Sequence, residues 1–220
     1  MKDAQGNLVL GRTRWRRFAA VMVPAVAAAS LLMVGVASGA FPASFAVSGS
    51  TFKVSADELD GDGFVQYGGF ASQKGATFQP NGLPADAKSA PVAVSGIKTA
   101  TLTNLCQSVL IPGTSISLVI HAGNSPDDDK KVHATDLIIA MSTLTGDATF
   151  TNIVIGQDAS TLTGGPAGAT GLPGFFGQQA DHVNIKHLKQ VAWSTSAGMF
   201  QLNGLDLHVS TSHEECFPDA

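Results

Sequence analysis

Apolar and polar positions alternate in short runs from residue 41 onward. Ile116, Leu118 and Ile120 share one parity and Ser115 and Ser117 the other, while Leu205, Leu207 and Val209 alternate with Asp206, His208 and Ser210. A period of two places successive side chains on opposite faces of a strand, the pattern of a half-buried antiparallel sheet. The runs are rich in Val, Ile, Thr and Phe and are separated by Gly, Pro, Asp and Asn. Helical periodicity is hard to find. The pattern predicts an all-β, mostly antiparallel domain, built as a curved sheet or a sandwich.

Along the chain, Phe45 and Val47 are expected on a strand paired with the one that carries Phe52 and Val54. A turn is expected at 57–63, a strand at 64–70, a surface loop at 73–90, and strands at 91–97, 99–106 and 109–120, the last broken at Pro112-Gly113. After a charged turn at 123–131, one hairpin would join 132–144 to 148–155 across Thr145-Gly146-Asp147, and a second would join 182–194 to 199–210 across 195–198. Three segments look alike: Thr101-Leu102-Thr103-Asn104-Leu105, Thr149-Phe150-Thr151-Asn152-Ile153 and Gln201-Leu202-Asn203-Gly204-Leu205. Each sets an Asn between apolar residues, as if one strand-and-kink unit recurred.

The N-terminal stretch breaks this pattern. Arg12, Arg14, Arg16 and Arg17 run into an apolar segment at 18–37, followed by the small residues Ser38, Gly39 and Ala40. A basic lead, an apolar core and a small-residue exit predict a hydrophobic helix that acts as an export signal, or as a membrane anchor if it is retained, since the run is long enough to span a bilayer core. In either case the arginines stay in the cytoplasm and the chain beyond residue 40 emerges outside. Residues 1–40 are thus read as cytoplasmic lead plus signal or anchor, and residues 41–220 as an extracytoplasmic β domain, secreted or held at the cell surface.

Charge and cysteine usage fit that address. The 220-residue chain carries a formal net charge of −4. Every arginine precedes residue 18, so the exported part is acidic, which argues against nucleic-acid binding. Cys106 and Cys216 both lie in the exported part and are expected to form a disulfide, which for a loop of that length contributes about 4 to 5 kcal/mol in the chain-entropy view. The alternative for the C-terminus is a metal site from His213, Glu214, Glu215 and Cys216. Elsewhere Glu58, Asp60, Asp62 and Gly63 resemble the start of a calcium loop, but Gly69 stands where a bidentate Glu is needed. No metal and no cofactor is predicted.

Residues 156–177 form a glycine-rich insertion, with glycine at every third position from Gly165, too short a run to hold a triple helix. It reads as a flexible loop whose tip presents Leu172, Phe175 and Phe176 as a candidate contact for a membrane, a ligand mouth or a partner chain. No Gly-x-Ser-x-Gly elbow, phosphate loop or zinc spacing occurs. His182 and His187, five apart, are expected on opposite faces of a strand. The chain therefore carries no catalytic signature, and three readings remain: an envelope protein that binds a lipid or envelope component, a secreted lipid or sterol esterase, and a surface protein that self-assembles. For the first, Phe45, Phe52, Phe64, Phe70, Phe78 and Phe150 either line a groove or fill the core.

A resemblance bears on this choice. The segments Gly11-Arg12-Thr13-Arg14-Trp15-Arg16-Arg17-Phe18, Ala43-Ser44-Phe45-Ala46-Val47-Ser48-Gly49, Phe52-Lys53-Val54, Gly63-Phe64-Val65-Gln66-Tyr67-Gly68 and Phe176-Gly177-Gln178-Gln179-Ala180-Asp181 resemble an uncharacterised exported family of actinobacteria, often labelled cholesterol esterase. The resemblance implies a cell-envelope protein of a Gram-positive organism. None of the matching motifs is catalytic, so no active-site residue carries over.

Overall fold

The computed structural model describes residues 44–47 and 50–219. The predicted signal or anchor helix lies outside the described residues, and among those described no helix is long and apolar enough to cross a membrane. The fold is all-β, built on one sheet of ten strands. These are β1 (Ser44–Val47), β2 (Phe52–Gln73), β3 (Ser89–Thr103), β4 (Leu105–Leu110), β5 (Ser117–Ala122), β6 (Val132–Thr151), β7 (Val154–Asp158), β8 (Phe176–Ser196), β9 (Met199–Gln201) and β10 (Asp206–Ser210).

Four long strands close on themselves. β2 pairs with β3, β3 with β6, β6 with β8 and β8 with β2, all antiparallel. Opposed residues around the ring run Ile185, Leu59, Leu102, Val132, yet the residue of β6 that faces Ile185 is Ala148, not Val132. So large a stagger requires steeply tilted strands. Leu59, Leu102, Val132 and Ile185 all point inward and belong to the main core, with Phe64 and Phe150 in contact at a ring-centroid distance of 5.3 Å.

Strands of 22, 20 and 21 residues need local relief to coil so tightly. It comes from single residues with left-handed backbone: Asn104 (φ 53°), Asp136 (φ 49°), Asn152 (φ 54°), His187 (φ 54°) and Gly204 (φ 67°). The three look-alike segments are indeed strand–kink–strand units, with Asn104 between β3 and β4, Asn152 between β6 and β7, and Gly204 between β9 and β10. Two of the kinks are fixed alike: Asn104 Nδ2 donates to Asp57 Oδ2 at 3.1 Å, and Asn152 Nδ2 to Asp181 Oδ2 at 2.8 Å. Asn and Asp tolerate this region because their short polar side chains bond locally.

Several expected turns are kinks of this kind. Residues 57–63 lie inside β2, and Thr145-Gly146-Asp147 is a register shift within β6 rather than a reversal. β8 and β9 form no hairpin; both lie along β6, with Gly198 N donating to Thr135 O at 2.8 Å between them. β1 does not pair with 52–54 but runs parallel to the far end of β2, Ser44 opposite Phe70. The loop between β2 and β3 is found as expected, closed by a bridge between Phe78 and Pro84.

The glycine-rich segment is folded back as a cover on the outer face. Ala159, Leu162 and Ala169 pack on Val65, Tyr67, Val92 and Val94 as a second cluster. A Cβ at Gly165 would lie 2.4 Å from Val65 Cγ2, so glycine at this position is required by close approach and not by looseness. Beneath the cover, burial pushes the Tyr67 phenol up to about 12.

The C-terminal strap crosses the outer side of β4. Cys106 and Cys216 are disulfide-bonded. The Lys53 Nζ lies 2.8 Å from both Glu215 and Asp219 and donates to Phe217 O at 3.0 Å. Burial works against the Lys53 charge, but the bonds to Asp219 and Glu215 outweigh it and raise its pKa. The serine face of β5, expected in solvent, is buried on this side: Ser117 is 0 % and Val119 1 % exposed.

Asn104→Ala is expected to cost about 1 to 2 kcal/mol in urea unfolding, for an alanine forced into left-handed backbone, whereas Asn104→Gly costs less. Replacing both cysteines by serine is expected to lower stability by about 2 to 5 kcal/mol in the same measurement.

Candidate functional site

Apolar residues face the same way from the core out to the free edge of the sheet. On β2 the inward row Phe52, Val54 and Ala56 continues across β4 and β5: Val54 opposes Gln107, Gln107 opposes Ile120, and Ile120 opposes Leu207 of β10. One step along, Val109 opposes Leu118, which opposes Val209. β10 is the last strand of its edge, and its Leu207 and Val209 are exposed. The other wall is the end of β8 with β9, which brings Ala197, Phe200 and Leu202 over this face.

Between the walls is an open groove of about 540 Å³, lined by Phe52, Ile120, Ala197, Phe200 and Leu202, with Gln107 and Ser194, Thr195 and Ser196 as its polar groups. Behind it is a void of about 20 Å³. Gln107, Thr195 and Phe200 line both, and Gln190, Val54, Leu105 and Leu137 help to close the void. Among the described residues no charged side chain lines either space. A mostly apolar concavity of this size with a few polar groups is the ordinary form of a small-ligand site.

The residues singled out from the sequence lie elsewhere. Leu172 is half-buried, Phe175 packs against the outer cluster, and only Phe176, 57 % exposed, stands free on the surface. The loop that was expected to be flexible is tied down: Asp158 accepts from Ser160 N at 2.9 Å and from Gly174 N at 2.7 Å, and Ala159 N donates to Phe175 O at 2.9 Å. Hydrogen bonds from the Ser160 hydroxyl and the two backbone amides hold the Asp158 pKa below its usual range.

The outer face holds the titratable groups. Glu58, Asp60 and Asp62 are engaged by β8: Asn184 Nδ2 donates to Glu58 Oε1 at 2.9 Å and to Asp60 Oδ2 at 2.8 Å, and His182 Nδ1 lies 2.9 Å from Asp62 Oδ1. Those carboxylates form a cross-strand ladder, not a loop. Among the described residues no group of His, Cys, Asp and Glu is placed to hold a metal ion. His182 and His187 both face outward, because the parity of β8 shifts at the left-handed His187, where β8 has one residue more than β6 between the Thr145–Lys189 and Asp147–Lys186 pairs. His187 Nδ1 lies 2.9 Å from Asp147 and His208 Nε2 3.3 Å from Glu214. Among the described residues no serine is hydrogen-bonded to the imidazole of any of these His–carboxylate pairs.

Sequence reasoning missed Gln107, Gln190 and Thr195. Counting by twos from Val183 and Ile185 puts Gln190 outside; the extra residue at His187 turns it inside. A glutamine at a core position is visible only once that kink is known.

Residues 48–217 match DUF6230, a family of unknown function. The chain belongs to that family. The matched span includes every groove residue and both cysteines. No curated protein and no solved structure matches the chain.

The Asp62 hydrogen bond raises the pKa of His182 above its ordinary 6.5, and the Glu214 hydrogen bond does the same for His208. A histidine whose folded pKa exceeds its unfolded one contributes stability in full below the unfolded value and loses it as pH rises through the folded value. Stability is therefore expected to fall as pH is raised from below 6.5 through the raised values, and His182→Asn to flatten that slope in urea unfolding at a series of pH values.

Proposed function

We propose that this is an exported cell-envelope protein whose β domain binds a lipid, or another apolar envelope component, in the groove between β5 and β9. The observation that carries this reading is the groove itself, an apolar concavity of about 540 Å³ continuous with the core and free of charged lining. The expectation of export comes from the arginine-led apolar segment at 12–40 and is in keeping with the Cys106–Cys216 disulfide, since such bonds persist in oxidising compartments. The resemblance to exported actinobacterial proteins points the same way.

Esterase activity, the label attached to that resemblance, ranks lower. An acyl-transfer site needs a nucleophile within hydrogen-bond reach of a base, and the His–carboxylate pairs on the outer face have no such serine. The groove's own hydroxyls, Ser194, Thr195 and Ser196, have no histidine or carboxylate beside them among the described lining residues, which favours binding over hydrolysis. Self-association is a second reading, favoured by β7, whose Val154 and Ile155 are exposed on an edge strand at the other end of the sheet.

Purified protein is expected to enhance the fluorescence of N-phenyl-1-naphthylamine with one site per chain. Phe200→Glu should weaken that binding by about tenfold or more, whereas Phe176→Ser, on a different surface, should not. Equal binding by wild type and Phe200→Glu would remove the groove as the site. Turnover of nitrophenyl esters that is lost on replacement of a single serine would put the esterase first, and a reporter fused after Ala220 that is active only in the cytoplasm would overturn export.

A further inference from the structure

We infer that the groove selects a neutral single-chain amphiphile, a long alkyl chain ending in one hydroxyl or ester group, and discriminates against an ionised fatty acid. The inference rests on the binding reading above and names its ligand class. Gln190 is only 3 % exposed, points into the core beside Val54, and borders the void at the back of the groove. Its amide faces that void and is not sealed off, since the fully buried unpaired side-chain atoms among the described residues are Ser117 Oγ and Trp193 Nε1. An amide that faces a nearly dry void offers one donor and one acceptor to whatever group enters it. Gln107 lies on the other side of Val54 in the same row, and Thr195 completes the polar end.

Size and charge narrow what can satisfy that amide. A void of about 20 Å³ is enough for a single water-sized group, since about 10 to 15 Å³ holds one water, and too small for a phosphate or choline head. A hydroxyl both donates and accepts, so it matches both ends of an amide; an ester carbonyl takes its N–H. A carboxylate would enter without a cation. Lys53 and Lys189 flank the row in sequence but face the opposite side of the sheet, where Lys53 is held by Glu215 and Asp219. Burying an unpaired charge is far more costly than burying a hydrogen-bonded hydroxyl.

Displacement of N-phenyl-1-naphthylamine from the full chain tests this, with 1-dodecanol, dodecanoate at pH 8 and tridecane as competitors. Dodecanol is expected to displace the probe at a concentration about tenfold or more below that of dodecanoate. Because the alcohol also partitions more readily into any apolar site, the deciding quantity is the ratio of dodecanol to tridecane affinity. That ratio is expected to fall about tenfold in Gln190→Leu, whose fold is checked by its thermal unfolding, and to fall also in the milder Gln107→Leu. Dodecanoate competing as well as dodecanol, or an unchanged dodecanol to tridecane ratio in both variants, overturns the inference while leaving the groove as a binding site. Failure of the probe to bind at all overturns both.

Discussion

The constraint on which this structure depends is the closure of four long antiparallel strands with a large stagger. Ile185 faces Leu59 on one side and Ala148 on the other, and only steeply tilted, coiled strands satisfy both pairings. Coiling of that degree cannot be spread evenly along a strand of twenty residues. It is concentrated at Asn104, Asp136, Asn152 and His187, where one left-handed residue re-aims the chain and a neighbouring carboxylate often fixes the result. Every inward-facing position beyond a kink takes its place from that kink. Phe52, Val54, Gln190 and the spaces they border are on the inside because β8 changes parity at His187, where it has one residue more than β6, and β2 changes parity at the facing Asp57.

The same devices explain what could be read in the chain. All-β architecture was legible from the alternation in Leu205 to Ser210 and from the β-branched runs, since parity is a local property. Connectivity was not. Gly146 and the 195–198 segment have the composition of tight turns, yet the first marks a register shift inside β6 and the second an interruption across which β8 and β9 keep one register along β6. Composition marks where regular pairing is interrupted; whether the chain then reverses or goes on depends on partners far away in sequence, here β8 for Gly146 and β6 for the 197–198 step. The Asn-centred look-alike segments were informative because a left-handed Asn is a specific local signal. The groove was the least legible part, since its floor depends on parity after a bulge and its walls come from five separate strands.

Polar groups are divided between the two faces of the sheet by the same logic. The outer face gathers the carboxylates, imidazoles and lysines into cross-strand pairs such as His182 with Asp62 and Lys53 with Glu215. On the inner face the exceptions are amides and hydroxyls: Gln178 Nε2 donates to Gln66 Oε1 at 2.7 Å and Gln66 Nε2 to Ser95 Oγ at 3.0 Å at one end, with Gln107, Gln190 and Thr195 at the other. Neutral groups can remain in a poorly hydrated interior at modest cost where charged ones cannot.

Closure of the ring also dictates an order of events. β2 begins at residue 52, but its second partner β8 does not start until residue 176, and the cysteine that locks the strap is at 216. A chain that emerges N-terminus first therefore exposes one edge of β2 until nearly the whole sequence is through. Pairings so remote in sequence form slowly, because the loop must close before any contact rewards it. Under the export proposed above, such lateness is useful: the fold cannot complete on the near side of a membrane while its closing strand is still being made.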